Sequence, residues 1–291
     1  MTAVAGTAGD FLATMAASSK ARSAAAQALM PMRELRARLA DLPLAPKLKL
    51  SRFDLIAEVK LRSPALGLLK AAADEDVGAR VAAYAHAGAA AVSILTEPSR
   101  FDGSLGDLAA GAQALQPLAV PAMRKDFLVD NYQVLEGRVA GAGGVLAILR
   151  MLPRSALERV IDASLELGMF VLLEAFDEAD ISVAHALVEA RKSHQELLLV
   201  GVNSRDLVTL EVVPGRLAAL ADKLPANVRR VAESGIATIA DAERAAAAGY
   251  DLALVGSALM SAADPATLAR AMLTAGRAAV DARASLVGGR A

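Results

Sequence analysis

The stretch LIAEVKLRSPALG, Leu55 to Gly67, begins as a strand and carries two opposite charges, Glu58 and Lys60, among apolar neighbours. Alternate residues of a strand point to the same side, so Ile56, Glu58 and Lys60 share one face and Ala57 and Val59 the other. The purely apolar face suits contact with helices. The mixed face suits the interior of a closed barrel, where a charge is costly unless it is paired. The stretch therefore predicts a barrel strand ending either in a structural ion pair or in a site with partners.

Seven further β-branched or Leu-rich runs follow. They are AAVSILT (90–96), PAMRKDF (121–127), GGVLAIL (143–149), MFVLLEA (169–175), ELLLVGVN (196–203), RRVAES (229–234) and DLALVGS (251–257). With LIAEVK (55–60) they recur roughly every 22 to 36 residues, the size of one βα unit. Ala-rich helical patterns fill the gaps: DEDVGARVAAYAHAG, NYQVLEGRVAGAG, SALERVIDASLELG and TIADAERAAAAGY. Each ends at or near a glycine, which suits the left-handed position just past a helix. Eight such units predict an α/β fold, a parallel (β/α)8 TIM barrel. A doubly wound open sheet would carry a glycine-rich turn after its first strand. The cluster GAGG, Gly141–Gly144, precedes a strand instead and reads as a tight αβ loop. Residues 1–50 form a predicted N-terminal helical extension and 51–291 the barrel, a single domain overall. FLATMAASSKARSAAAQ and PMRELRARLADL are the helical stretches of that extension. They could cover the bottom of the barrel or fold over its top.

With 291 residues, 55% of them hydrophobic, and a mean hydropathy of +0.41, the chain can bury a large core. A net charge of −1, from 31 basic and 32 acidic residues, argues against nucleic-acid or membrane-surface partners. The absence of cysteine excludes disulfides, thiolate metal sites and a cysteine nucleophile. The opening residues lack the basic start and apolar core of a secretory signal. No apolar run reaches the ~18 residues a membrane span needs. The expectation is a cytoplasmic protein, a monomer or weak homodimer.

Polar groups recur at the other strand ends. The third run offers Lys125, the fifth Glu174, the sixth Asn203 and Arg205, the seventh Glu233 and Ser234, and the eighth Gly256 and Ser257. In this fold the C-terminal ends of the strands form the catalytic face. A structural ion pair would not need polar groups from six strands on one rim. Glycine N–H groups and serine hydroxyls after strands seven and eight suit a phosphate, so a small phosphorylated substrate is expected. Three cations, Lys60, Lys125 and Arg205, face three carboxylates, Glu58, Glu174 and Glu233. That mixture suits proton transfer better than metal binding, and His86, His185 and His194 all lie away from strand ends. A desolvated or crowded lysine has a lowered pKa and can act as a general acid or form a Schiff base. A glutamate in a low-dielectric mouth can be raised toward neutrality and act as a base.

The segments IAEVK-x-x-SP, ILTEPSRFDGSLGDL, MRKDFLVDNYQ, LLEA, GVNSRDL, AESGI and VGSALM, in this order, resemble the indole-3-glycerol phosphate synthase family of tryptophan biosynthesis. The resemblance covers nearly all of the chain from about Leu55. It implies a carboxy-lyase that closes a pyrrole ring on 1-(2-carboxyphenylamino)-1-deoxyribulose 5-phosphate, with loss of carbon dioxide and water and without metal, nucleotide or organic cofactor. It further implies Lys60 and Lys125 as acids and substrate-binding cations, Glu174 as base and Glu58 as its assistant. Asn203, Arg205 and Glu233 would be further site residues. Ser63 belongs to the first loop, and Phe101, Phe127 and Leu207 would pack on the aromatic ring. Ser234, Gly235, Gly256 and Ser257, with Lys60, would hold the phosphate. The chain departs from the family pattern at Leu61, Ala65, Phe176 and Ser204. These leave two readings open, drift at supporting positions or a paralogue for a related N-aryl aminodeoxyketose phosphate. A phosphate-sugar isomerase or a Schiff-base aldolase would also use such a rim. A non-catalytic binding barrel would be expected to lose Lys60, Lys125 or Glu174, and all three are present. If drift accounts for the departures, Ala65→Ser changes turnover by less than about tenfold, or 1.4 kcal/mol of barrier, in steady-state assays. A larger gain points to the paralogue.

Overall fold

The fold is a closed ring of eight parallel strands in a computed structural model that describes residues 8–288. Residues 1–7 of the expected extension and 289–291 of the expected barrel lie outside the described residues. The strands are β1 (Asp54–Val59), β2 (Ala91–Leu95), β3 (Ala122–Lys125), β4 (Ala142–Ile148), β5 (Phe170–Ala175), β6 (Leu198–Asn203), β7 (Arg229–Glu233) and β8 (Leu252–Val255). Each pairs with its neighbour in sequence, and β8 closes on β1 with Ile56 opposite Leu254. Helices α1 (Ala8–Leu29) and α2 (Met32–Ala40) precede the ring. Helices α3 (Val77–His86), α4 (Leu105–Leu115), α5 (Asn131–Val139), α6 (Arg154–Glu166), α7 (Glu178–Glu189), α8 (Arg216–Ala221), α9 (Ile239–Ala247) and α10 (Pro265–Gly288) surround it.

The two faces of each strand separate as the period of two requires. Leu55, Ala57 and Val59 of β1 pack outward with the helices, as do Val171, Leu173 and Ala175 of β5 and Val200 and Val202 of β6. Ile56, Met123, Phe170, Leu172, Leu199, Val231 and Leu252 fill the interior. On these same inward faces, the positions nearest the C-terminal ends are Glu58, Glu174, Asn203 and Glu233. The mixed face of LIAEVK is therefore the barrel interior.

Helix ends follow local chemistry. Asp76, Ser104, Asp130, Asp177 and Thr238 each accept a backbone N–H of the first turn that follows. Gly88, Gly141, Gly168 and Gly249 end helices at positive φ, as the sequence pattern requires. The GAGG expectation needs correction. Only Gly141 is the turn, and Gly143 and Gly144 lie inside β4. A Cβ on Gly144 would sit 2.4 Å from the ring of Phe170, its register partner on β5. The glycine makes room for an aromatic side chain in the barrel interior. The third run also ends earlier than expected. β3 stops at Lys125 because Asp126 turns its carboxylate back to accept the Phe127 N–H at 2.8 Å.

The extension reaches both ends of the barrel. Leu12 and Met15 of α1 are buried in the interior cluster beside Phe127 and Ile148, at the C-terminal mouth. Ser19 accepts from Gln133 at 2.8 Å, and Ser23 donates to Asp130 at 2.6 Å. Helix α2 packs Leu35 against Tyr132 and Leu135 of α5. The chain then passes beneath the ring, where the Pro46 carbonyl approaches Gly143 and Leu48 and Leu50 pack on the interior cluster. The last helix completes the closure. Gly276 leaves space for the buried Phe53 ring, and Arg277 donates to the Phe53 carbonyl and to Asp54, each at 3.0 Å. Gly144→Ala is expected to destabilise the fold by about 1–3 kcal/mol through overpacking. Denaturant unfolding measures this, and Phe170→Leu in the same chain should recover most of the loss.

Candidate active site

The C-terminal mouth encloses a cavity of about 410 Å³. Glu58, Lys60, Ser63, Phe101, Lys125 and Phe127 line it from the first three βα units. Glu174, Asn203, Arg205, Leu207, Glu233, Ser234, Gly235, Gly256 and Ser257 line it from the others. Every residue expected to act in catalysis or binding thus lines one cavity, whereas His86, His185 and His194 are exposed elsewhere.

Two ion pairs stand at its floor. Lys60 Nζ lies 2.8 Å from Glu58 Oε1, and Lys125 Nζ lies 3.6 Å from Glu174 Oε2. Glu58 and Glu174 are each only 3% exposed. A Cβ on Gly256 would fall 2.3 Å from Glu58 Oε1 and 2.9 Å from Lys60 Nζ, so the first pair lies directly over this glycine. Burial works to raise the Glu58 carboxyl, but Lys60 and Lys125 outweigh it and hold the group below its ordinary value. Burial also works to lower the Lys125 ammonium. Glu174, Glu58 and Glu233 more than offset that and raise it strongly. The expectation of a depressed lysine therefore fails for Lys125, because three surrounding glutamates outweigh its burial. Glu233 is the glutamate raised toward neutrality, first by burial and then by Glu174.

An apolar wall stands beside these charges. Phe127 meets Phe101 at 6.3 Å and Phe11 edge-on at 5.9 Å between ring centroids. Phe11 and Leu12 come from α1, so the extension builds part of the site. Arg22, also on α1, forms a two-pronged pair with Asp126 at 2.9 and 2.7 Å. Asp126 further accepts from Thr96 at 2.7 Å and lies 3.4 Å from Arg124. This buried carboxylate stands between Lys125 and Phe127 in sequence, and the cations hold it below its ordinary value against the opposing effect of burial.

The opposite side is rich in hydroxyls and bends sharply. Ser234 and Gly235 both have positive φ, 64° and 74°. A non-glycine residue there is strained. The Ser204 hydroxyl supports this bend by donating to the Ser234 carbonyl at 2.9 Å. Asn203 Oδ1 accepts the Arg205 N–H at 2.9 Å, and the Arg205 guanidinium donates to the Leu210 carbonyl. Burial lowers Arg205.

The family pattern of indole-3-glycerol phosphate synthase matches residues 12–272. The protein of that name from Mycobacterium avium (strain 104) is 40% identical over 250 residues, 84% of this chain and 87% of that one. The Parafrankia sp. (strain EAN1pec) relative is 42% identical over 218 residues, 75% and 76% of the two chains.

The chain belongs to the indole-3-glycerol phosphate synthase family.

Among solved structures, 3-hexulose-6-phosphate synthase from Salmonella typhimurium aligns with a TM-score of 0.59 at 16% identity. That match covers 79% of this chain and 100% of that one. Thiamine phosphate pyrophosphorylase from Pyrococcus furiosus gives 0.57 at 14%, over 79% and 98%. These two likenesses concern the barrel alone.

The departures from the indole-3-glycerol phosphate synthase pattern have local explanations. Leu61 is buried, and its carbonyl accepts from Leu69 and Lys70 to close the first loop. Ala65 is exposed at the cavity edge. Phe176 is buried beneath the Arg150 guanidinium, 4.9 Å from its ring centre, and Arg150 is itself paired with Asp180 at 2.7 Å. Ser204 props the Ser234 bend. Sequence reasoning missed Phe11, Leu12, Arg22 and Asp126. Phe11 and Met15 stand four apart on a helix, which signals packing, but nothing local shows that the packing partner is the site. Arg22→Gln is expected to raise KM by about tenfold, or 1.4 kcal/mol, as α1 loosens from the apolar wall. Steady-state kinetics at fixed temperature checks this, and an unchanged KM removes α1 from substrate binding.

Proposed function

We propose that this mouth performs the reaction for which its family is named, ring closure of 1-(2-carboxyphenylamino)-1-deoxyribulose 5-phosphate. The carrying observation is the placement of two Lys–Glu pairs between an aromatic wall and a strained, hydroxyl-rich turn. The aryl ring lies against Phe101, Phe127, Phe11 and Leu207. The phosphate lies at Ser234, Gly235, Gly256 and Ser257, within reach of Lys60. Asn203 and Arg205 orient the carboxylate and hydroxyls.

The ring carbon that bears the carboxylate attacks the ketone carbon, and the ketone oxygen takes a proton from Lys125. The Glu174 and Glu58 carboxylates keep that ammonium charged until the oxygen becomes basic enough to accept it. Carbon dioxide leaves, and the electrons of its bond restore the aromatic ring. The new hydroxyl then departs as water with a second proton, while a carboxylate removes the proton from the adjacent carbon. Glu174 is the base in this step, and the Lys60–Glu58 pair supplies the acid. A Schiff-base aldolase would need a neutral lysine, which the carboxylates around Lys125 oppose.

We also propose a cytoplasmic monomer or weak homodimer. Among the described residues no helix is long and apolar enough to cross a membrane. Of the exposed large apolar side chains, Leu29 and Leu44 lie in the extension, Ile239 on α9 and the others in the loops after β1 and β6.

The test is direct. The chain has no tryptophan, so indole fluorescence rises from a low background. Addition of the substrate to the purified protein should produce that rise. Lys125→Ala and Glu174→Ala should each lower turnover by at least ~10²-fold if they are acid and base. Milder losses in both overturn the assigned roles. Absence of any rise with the substrate bound overturns the activity and favours a related aryl substrate.

A further inference from the structure

Glu233 is the carboxyl for which the proposed reaction has no task. It is 2% exposed, and neither of its oxygens has a hydrogen-bond partner. Glu174 Oε2 also lacks a hydrogen bond, although it faces the Lys125 ammonium at 3.6 Å. Orphaned, buried carboxylate oxygens are expensive, and both on Glu233 are orphaned. The Glu233 carboxyl reaches over Gly201, the residue opposite Glu174 in register, so the two carboxyl groups are neighbours. Two carboxylates cannot bond each other, because both only accept. One proton shared between them turns the contact into a hydrogen bond and partners an oxygen on each side.

The backbone is arranged for this meeting. Glu174 pairs in register with Gly201 on β6, and Asn203 pairs with Glu233 on β7. Gly201 therefore stands between the two glutamates on the inward face. A Cβ there would lie 2.1 Å from Glu233 Oε1. The space that any other residue would fill is occupied by the Glu233 carboxyl as it lies over β6.

Charge balance points the same way. Glu233 is faced by Glu174 from β5, Lys125 from β3 and Glu58 from β1, with Lys60, Asn203 and Arg205 lining the same mouth. Asp126, also at the cavity, is already neutralised by Arg22 and Arg124. With Glu233 ionised, three cations meet three carboxylates and the mouth is neutral. With Glu233 protonated, three cations meet two carboxylates, and the remaining positive charge suits a substrate carrying both a phosphate and a carboxylate.

We propose that Glu233 and Glu174 hold one proton between them in the free enzyme, with Glu233 as the carboxylic acid, and that Gly201 is the positioning residue that lets them meet. The pair is a proton store beside the general base. Glu174 keeps its negative charge for Lys125 on one side while accepting a hydrogen bond on the other.

The inference rests on the site proposed above, but its test needs no substrate. Infrared difference spectra of the free protein in D2O between neutral and alkaline pH report a protonated carboxylic acid through its carbonyl stretch. The wild type should show that band at neutral pH and lose it on the alkaline side. Glu233→Gln should lack it while keeping the fold by circular dichroism. Glu174→Gln removes the neighbouring charge, so the residual acid should ionise at a pH lower by about one unit or more. Folded Gly201→Ala should shift it in the same direction. A wild-type spectrum without the band at neutral pH overturns the shared proton, as does a band that survives Glu233→Gln. An unshifted band in folded Gly201→Ala overturns the role of the glycine. Failure here leaves the ring-closure reading intact, since that reading stands on turnover by Lys125 and Glu174.

Discussion

Lys125 keeps its proton because the Glu174 and Glu58 carboxylates, with the Glu233 carboxyl beside them, confront it inside a closed barrel, and much of the structure serves that confrontation. A charge buried in this way is stable only with partners at close range. The partners come from three other strands, so the ring must close with each strand in the correct register. A slip by one residue would send Glu58, Glu174 or Glu233 outward among the helices and leave the lysine alone. Two glycines then clear the ground. Gly256 lies beneath the Glu58–Lys60 pair and Gly201 beneath Glu233. The acidic and basic side chains can converge because backbone, not side chain, lines the mouth at those two points.

The extension belongs to the same arrangement. Arg22 reaches from α1 to Asp126, the residue directly after Lys125, and Phe11 closes on Phe127, the residue after that. A single strand end thus presents, in three consecutive residues, the proposed acid, the tie to the extension and part of the aromatic wall. The charged and apolar halves of the site share one short piece of backbone, so displacement of α1 is felt by both.

The alternation in LIAEVK was enough to place Glu58 inside, because a period of two leaves no other choice once the barrel closes. Polar residues at successive strand ends likewise marked the rim, and the glycines after α3, α5, α6 and α9 marked their own helix ends. What stayed hidden depends on contacts distant in sequence. Arg22 and Asp126 are 104 residues apart, and no local pattern links them. Gly144 reads as part of a loop and Gly201 only as one residue of a strand run, because their meaning lies in Phe170 and Glu233 on neighbouring strands. The direction of the Lys125 shift was misread for the same reason. Sequence showed cations and carboxylates in equal number but not which stood nearest to which.

The clamp of Phe53 and Asp54 by Gly276 and Arg277 bears on the order in which the molecule is made. The first strand leaves the ribosome before the eighth, and the groups that hold its entrance lie 223 and 224 residues later. Until they arrive, β1 has β2 on one edge and an unpaired edge on the other, open to the wrong neighbour. Closing so long a loop is slow. The ring can therefore close, and bring its mouth charges together, only after β8 and α10 have been made.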